Sequence, residues 1–396
     1  MTDVDTPGTA GTDFDPIAFL EEAVRTPSHE DVGPMRALLV ETLEDHGISV
    51  GVDGAGNVVA TRGDDHVSAA DDGTGSAARG DGTHLLLNTH IDTVTPHVPF
   101  DRDGEDVLRG RGSCDAKGPL AALVAGFLAA DLDRSDASSD RLTLLVTPDE
   151  ELYSTGAHAF VDDADSPIRS VDGVIVGEPT GLDVCTAAKG RFEGTITITG
   201  ANAHAAEPDS GTNAVAALES VLGALRTFHD RPDVTVDHSA LGRATVTPTV
   251  VDGGDAVNQV PDECRLMIDR RSVPPETADG FRDDLLGHLR EAAPPDVGVD
   301  FSFTDRPTPW LEAWATDLDE PLVETLQGAA GGEVRPFSAA TEASYFADHA
   351  PTVVFGPGVL ADDEGAVAHS PREYVRLGEV EQAAVAVTET LASLLA

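Results

Sequence analysis

Lysine is nearly missing from this chain: Lys117 and Lys189 are the only two in 396 residues. Cations of any kind are few, Lys and Arg totalling 25 against 71 Asp and Glu, for a formal net charge of −46. So little basic surface excludes nonspecific nucleic-acid binding, which needs many phosphate contacts. Cysteine is scarce too. Cys114, Cys185 and Cys264 are odd in number and lack paired spacing, which argues against a disulfide framework and for a reducing, cytoplasmic interior. No run approaches the ~18 apolar residues that span a bilayer. Residues 1–15 are acidic and Gly/Thr-rich, without the basic-then-apolar order of a leader. A soluble protein with no membrane partner is expected.

What is present is acid. Low hydrophobicity with high charge can mean disorder, but the 40% apolar content and the many strand-like runs argue for a folded chain. The carboxylates are spread along the sequence rather than blocked, which argues against an acidic binding tail. Excess acid with scarce lysine resembles proteins of salt-accumulating organisms, where concentrated salt screens self-repulsion. A halophilic protein is expected.

Along the chain, residues 1–13 read as a disordered tail, and helical apolar spacing follows over 16–24 and 35–46, the latter closed by Gly47. Two short strands over 48–61 flank a turn at Asp53-Gly-Ala-Gly56, and 63–83 is a low-complexity loop containing His66. Leu85 to Asp92 reads as a buried strand delivering His90 and Asp92, two apart and therefore on one side of an extended backbone. A Gly-rich turn then places Asp115 before an apolar helix over 119–130. A helix-capping aspartate is the plain reading there, and the phosphate-loop order of residues is lacking. Strands over 141–147 and 171–177 run into Asp149-Glu150-Glu151 and into Glu178. Three successive carboxylates form either a solvated turn or a cation site.

From Lys189 the texture changes to alternating strands and two amphipathic helices in β-α-β-β-α order, the pattern of an inserted α+β, ferredoxin-like domain. The first texture resumes with a helix over 322–330, a buried strand over 351–355, a loop bearing His369 and a closing helix over 378–395. The expected fold is α/β. A mixed-sheet catalytic domain (14–187 and 305–396) is interrupted by a lid or dimerisation domain (188–304). In open α/β sheets, ligands bind outside the carboxyl ends of strands. Two histidines and several carboxylates converging there suit zinc, cobalt or manganese better than calcium.

The pattern resembles the zinc-dependent amidohydrolase and exopeptidase family of acetylornithine deacetylase, succinyl-diaminopimelate desuccinylase, glutamate carboxypeptidase and aminoacylase. The resemblance is carried by His90-Ile-Asp92, Arg109-Gly-Arg-Gly-Ser-Cys-Asp115-Ala-Lys-Gly118, Pro148-Asp-Glu-Glu151, Gly177-Glu178-Pro-Thr, Gly200-Ala-Asn-Ala-His204, Asn258-Gln-Val-Pro261 and Ala368-His369-Ser-Pro. It implies two divalent ions, zinc first and cobalt or manganese as alternatives. His90 and Glu178 would hold one, Glu151 and His369 the other, with Asp115 bridging. By the same resemblance Asp92 orients His90. Glu150 is the general base toward a metal-activated water. His204 stabilises the oxyanion, within one chain or across a dimer interface. Asn258 and Arg271, or Arg270 in its place, hold the substrate carboxylate. Thr89, Cys114 and Ala116 depart from the family's usual residues without removing a ligand.

The implied activity is hydrolysis of the amide bond of an N-acyl amino acid, N-succinyl-diaminopimelate or N-acetylornithine, in amino-acid biosynthesis by a cytoplasmic homodimer. A di- or tripeptidase or carboxypeptidase with the same two-metal site is the nearest rival. An inactive metal-binding or scaffold protein is the rival of another class, and retention of Glu150 argues against it. Thr341-Glu-Ala-Ser344 reads either as lining of the amine side of the pocket or as a threonine-capped helix start.

Overall fold

The computed structural model describes residues 14–63, 82–132, 139–232, 234 and 237–395. The tail over 1–13 and nearly all of the low-complexity tract, with His66, lie outside them. The chain divides into two compact units: Met1–Thr186 with Thr316–Phe337 and Tyr345–Ala396, and Ala187–Ala315 with Ser338–Ser344. The second unit runs on to Ala315, later than the boundary at 304 read from the strand pattern. Residues 304–315 carry little periodic signal, and their attachment rests on pairing such as Arg191 with Leu311.

The first unit is built on a mixed sheet. Its strands are β1 (Val50–Val52), β2 (Val58–Gly63), β3 (His84–His90), β4 (Arg141–Thr147), β5 (Gly173–Gly177), β6 (Val184–Ala188), β7 (Val334–Phe337) and β8 (Thr352–Phe355). The spatial order is β1-β2-β4-β3-β5-β8-β6, with β7 also beside β6. Strands β4, β3, β5 and β8 are mutually parallel. All seven residues of β3 are buried, as a parallel strand covered on both faces requires. The chain passes from β3 to β4 on one side and then to β5 on the other, so strand order reverses at β3. That reversal opens a crevice outside the strand ends.

Helices α1 (Pro16–Arg25), α2 (Gly33–Asp45), α3 (Lys117–Ala129), α4 (Thr155–Asp162), α5 (Pro321–Ala330) and α6 (Leu377–Leu394) belong to the same unit. Asp15 caps α1, its Oδ1 accepting from Ile17 N at 2.9 Å and Ala18 N at 3.1 Å, a contribution of about 1 kcal/mol. Helix α3 is apolar on nearly every face and packs on α6 at Gly126, where a Cβ would stand 2.5 Å from Val387 Cγ1. Helix α3 starts at Lys117 with Ala116 as its cap residue. Asp115 is therefore not the capping aspartate of the plain reading, and its side chain is available elsewhere.

His84 opens β3 in the interior, with Nδ1 3.0 Å from Ser170 Oγ and Nε2 2.9 Å from Thr143 Oγ1. Burial, and then the nearby Arg141, lower its pKa to about 4. Between about pH 4 and the ordinary value near 6.5 the unfolded chain binds this proton and the native chain does not. His84 therefore favours folding above that window and loses its contribution as pH falls through it. Thermal melts of His84→Gln should accordingly lose less stability between pH 7 and 5 than the parent. Equal losses would refute this.

The second unit has a four-stranded antiparallel sheet in the order Thr245–Gly253, Glu263–Ser272, Gly190–Thr199, Gly298–Phe303. Phe192, Ile196, Ile198, Leu266 and Ile268 alternate onto one face and pack against helices Ala214–Thr227 and Ala278–Ala292 through Val221, Leu225, Phe281 and Leu285.

Candidate active site

At the end of β3 the His90 ring is almost wholly buried, with Nδ1 3.0 Å from the Asp92 carbonyl oxygen and 3.2 Å from Asp92 Oδ1. Asp92 has further partners. Its Oδ1 accepts from Glu150 N and its Oδ2 from Glu151 N, each at 3.0 Å, so one carboxylate ties the end of β3 to the turn after β4. Asp149 shapes the same turn by accepting from Thr155 N at 2.9 Å and Gly156 N at 3.0 Å at the start of α4.

Asp115 stands between the two histidines. Its Oδ1 is 3.3 Å from His90 Nε2 and its Oδ2 is 3.0 Å from His369 Nε2. His369 Nε2 is also 2.9 Å from Glu151 Oε2. His369 has a backbone φ of +60, a left-handed conformation uncommon for a side-chain-bearing residue and found at functional sites. Glu178, buried just past β5, completes a group with His90 and Asp115. Asp115, Glu151 and His369 form a second, and within each group the ligand atoms lie within 4.8 Å of one another. All four strand-end and loop segments singled out in the sequence, through His90, Glu151, Glu178 and His369, thus converge on Asp115.

Burial opposes charge on His90, but its contacts with Asp115 and Asp92 hold its pKa well above the ordinary range. His369 is pushed up to about 10, by Asp115 first and then Glu151. Burial would raise Asp115, yet the two histidines outweigh it and keep that carboxyl well below its usual value. The crowded carboxylates thus favour protons on both imidazoles. The donor set fits divalent ions in their place. Two imidazoles and three carboxylates form two overlapping groups around one shared carboxylate, and the buried His90 Nε2 has nothing but a 3.3 Å contact with Asp115 Oδ1 among the described residues. Glu150 belongs to neither group among the described residues, although it adjoins Glu151.

The remaining residues singled out in the sequence belong to the second unit. His204 and Asn258 are neighbours there: His204 pairs with Gln259, and the Asn258 carbonyl accepts from Ala205 N at 2.9 Å. His204 is exposed, its Nδ1 accepting from Ala206 N at 3.1 Å. Alternation along Glu263–Ser272 separates the two candidate arginines. Arg270 is fully buried, bidentate to Glu276 at 2.8 and 2.7 Å, with Phe281 beneath its guanidinium. Arg271, on the opposite face, pairs with Asp269 at 2.9 Å and is partly exposed. Arg270 is thus committed to the core of its unit, and Arg271 keeps a guanidinium that a ligand can reach.

Two buried charges near Asp115 escaped the sequence reading. Lys117 Nζ donates to the Ala23 and Thr26 carbonyls at 2.9 and 2.7 Å and so closes the end of α1. Arg111 pairs with Glu373 in the interior. The signal available was the cost of a cation placed inside an apolar, Gly-rich run, which demands a partner.

Comparisons with known proteins give the family. Residues 86–394 match peptidase family M20/M25/M40. An acetylornithine deacetylase from Proteus mirabilis (strain HI4320) is 30% identical over 322 residues, 77% of this chain and 78% of that protein. A probable carboxypeptidase from Aspergillus terreus (strain NIH 2624 / FGSC A1156) is 33% identical over 317 residues, 76% of this chain and 68% of its own. Among solved structures, a dinuclear metal-binding peptidase of the M20 family from Bacillus subtilis superposes with a TM-score of 0.68 at 14% identity, covering 96% of this chain and 97% of that one. The chain belongs to peptidase family M20/M25/M40 and is a hydrolase of that family.

Proposed function

We propose that this protein hydrolyses the amide bond of an N-acyl amino acid, N-acetylornithine being the first substrate to test and N-succinyl-diaminopimelate the second. The observation that carries the reading is the pair of ligand groups sharing Asp115, with Glu150 adjoining one of them at the end of β4. The deacetylase relative supports the substrate class. His90, Asp115 and Glu178 would hold one divalent ion, and Asp115, Glu151 and His369 the other, zinc being the metal to test before cobalt and manganese. When bound, such ions polarise the scissile carbonyl and bring the pKa of an attacking water toward ~7.

The chain's own groups supply the rest. Glu150 takes the proton of the attacking water as its oxygen bonds to the carbonyl carbon. It then delivers that proton to the nitrogen as the C–N bond breaks. Asp92 fixes the Glu150 and Glu151 backbone, and thereby the base, relative to His90. His204 is assigned to the oxyanion, and Asn258 and Arg271 to the substrate carboxylate. Arg271→Ala should raise KM by about 10–100-fold, since hydrogen bonds to charged groups contribute about 1.5–3 kcal/mol. An unchanged KM would remove Arg271 from this role.

The probable carboxypeptidase relative favours a second reading, cleavage of short peptides. A screen of N-acetylornithine, N-succinyl-diaminopimelate and dipeptides, with each metal in concentrated salt, separates the two. Turnover of dipeptides alone would overturn the deacylase reading.

The cellular setting belongs to the same proposal: a cytoplasmic, salt-adapted homodimer in amino-acid biosynthesis, paired through its second unit. Net charge −46 should make folding depend on screening. Helical circular dichroism should fall in dilute buffer with chelator and return in molar salt, and full ellipticity in dilute buffer would count against salt adaptation. Sedimentation as a monomer would remove the dimer.

A further inference from the structure

The Arg111–Glu373 ion pair lies outside both ligand groups, yet its contacts reach the turns that carry Asp115 and His369. Arg111 and Glu373 are 2% and 1% exposed. Arg111 Nη1 pairs with Glu373 Oε2 and also reaches the Ser370 carbonyl at 3.4 Å, while Nε donates to the Pro96 carbonyl at 3.2 Å. Glu373 Oε1 accepts from Cys114 N and Asp115 N, both at 3.3 Å. One buried unit therefore ties together the turn presenting Asp115, the peptide after His369 and the loop after Asp92.

Stability alone is a weak reason for such a pair, because desolvating two charges offsets much of their attraction and apolar residues of similar size serve as well. Position is the better reason. The Asp115 carboxylate follows its backbone, and both backbone N–H groups at that turn are held by Glu373. His369 sits in a left-handed conformation that persists only where its surroundings over-determine it. The Arg111 contact with Ser370 is one of those constraints.

We propose that Arg111 and Glu373 are positioning residues that lock the Asp115 turn to the His369 turn, and that the cation position formed by Asp115, Glu151 and His369 depends on them. The other position depends on them less, because His90 and Glu178 issue from strand ends of the sheet and are themselves buried. His369, by contrast, is half-exposed on a loop. This inference rests on the two-ion reading above.

The experiment compares metal content and affinity in the parent, Glu373→Gln and the double variant Arg111→Met/Glu373→Gln. Gln keeps one acceptor oxygen for Asp115 N but loses the second that holds Arg111, so the link between the two turns is cut. The double variant removes the buried charge that Glu373→Gln strands, and so serves if the single variant fails to fold. After dialysis against limiting zinc or cobalt, the parent should retain two ions per chain by elemental analysis, and a parent with none would defeat the two-ion reading itself. The folded variants should retain one ion, and their weaker site should lose about 10–100-fold in affinity by calorimetry, the range for supporting groups around metal ligands. Variants that melt lower without metal, but keep two ions with affinity within threefold of the parent, would overturn the proposal. That result would leave the pair purely structural.

Discussion

Glu150→Ala should keep the full complement of divalent ions and lose about 10²–10⁴-fold in kcat, the usual contribution of a positioned acid–base group. The two halves of this expectation come from different observations. Metal is spared because Glu150 is in neither ligand group, while its neighbour Glu151 and the shared Asp115 remain. The turn is spared because Asp92 holds residues 150 and 151 by their backbone N–H groups, which the substitution leaves in place. Elemental analysis alongside N-acetylornithine hydrolysis at saturating metal measures both. Turnover within a few-fold of the parent would show that another group moves the proton.

Asp115→Ala should be the most damaging single change. Asp115 is common to both groups, so its loss leaves two ligands at each position, whereas His369→Ala leaves His90, Asp115 and Glu178 intact. Loss of supporting groups alone costs about 10–100-fold in metal affinity. Loss of the shared ligand should exceed ~100-fold, leave less than one ion per chain and abolish hydrolysis. Retention of two ions would show that the cations lie elsewhere. In the metal-free variant His369 also loses the first of the two carboxylates that hold its pKa near 10. Its imidazole should then titrate nearer the ordinary value, which NMR can follow.

The sequence was most legible where a strand ended. Buried runs before His90, Glu151 and Glu178 mark the carboxyl edge of the sheet, because apolar strands are cheap to recognise and polar groups just beyond them are not accidental. The strand order that makes β3 the point of reversal was not legible, since pairing is set in three dimensions. Asp115 was ambiguous for a local reason: a carboxylate before a helix reads as a cap, and only the start at Lys117 excludes it. Arg271 was preferred to Arg270 by resemblance alone, and the side-chain alternation of their strand supplies the physical distinction. The Arg111–Glu373 pair was the hardest, because its members are 262 positions apart and neither is a ligand.

Apart from the short segment Ser338–Ser344, the chain leaves the first unit after Thr186 and returns at Thr316, and Thr316 N donates to the Thr186 carbonyl at 2.7 Å. Exit and re-entry are therefore stitched side by side, at a seam that a tight turn could close. An insertion joined this way can be gained, exchanged or trimmed over evolutionary time without re-threading the sheet that carries His90, Glu151 and Glu178. The same seam offers a place to graft a foreign module onto the metal-binding half.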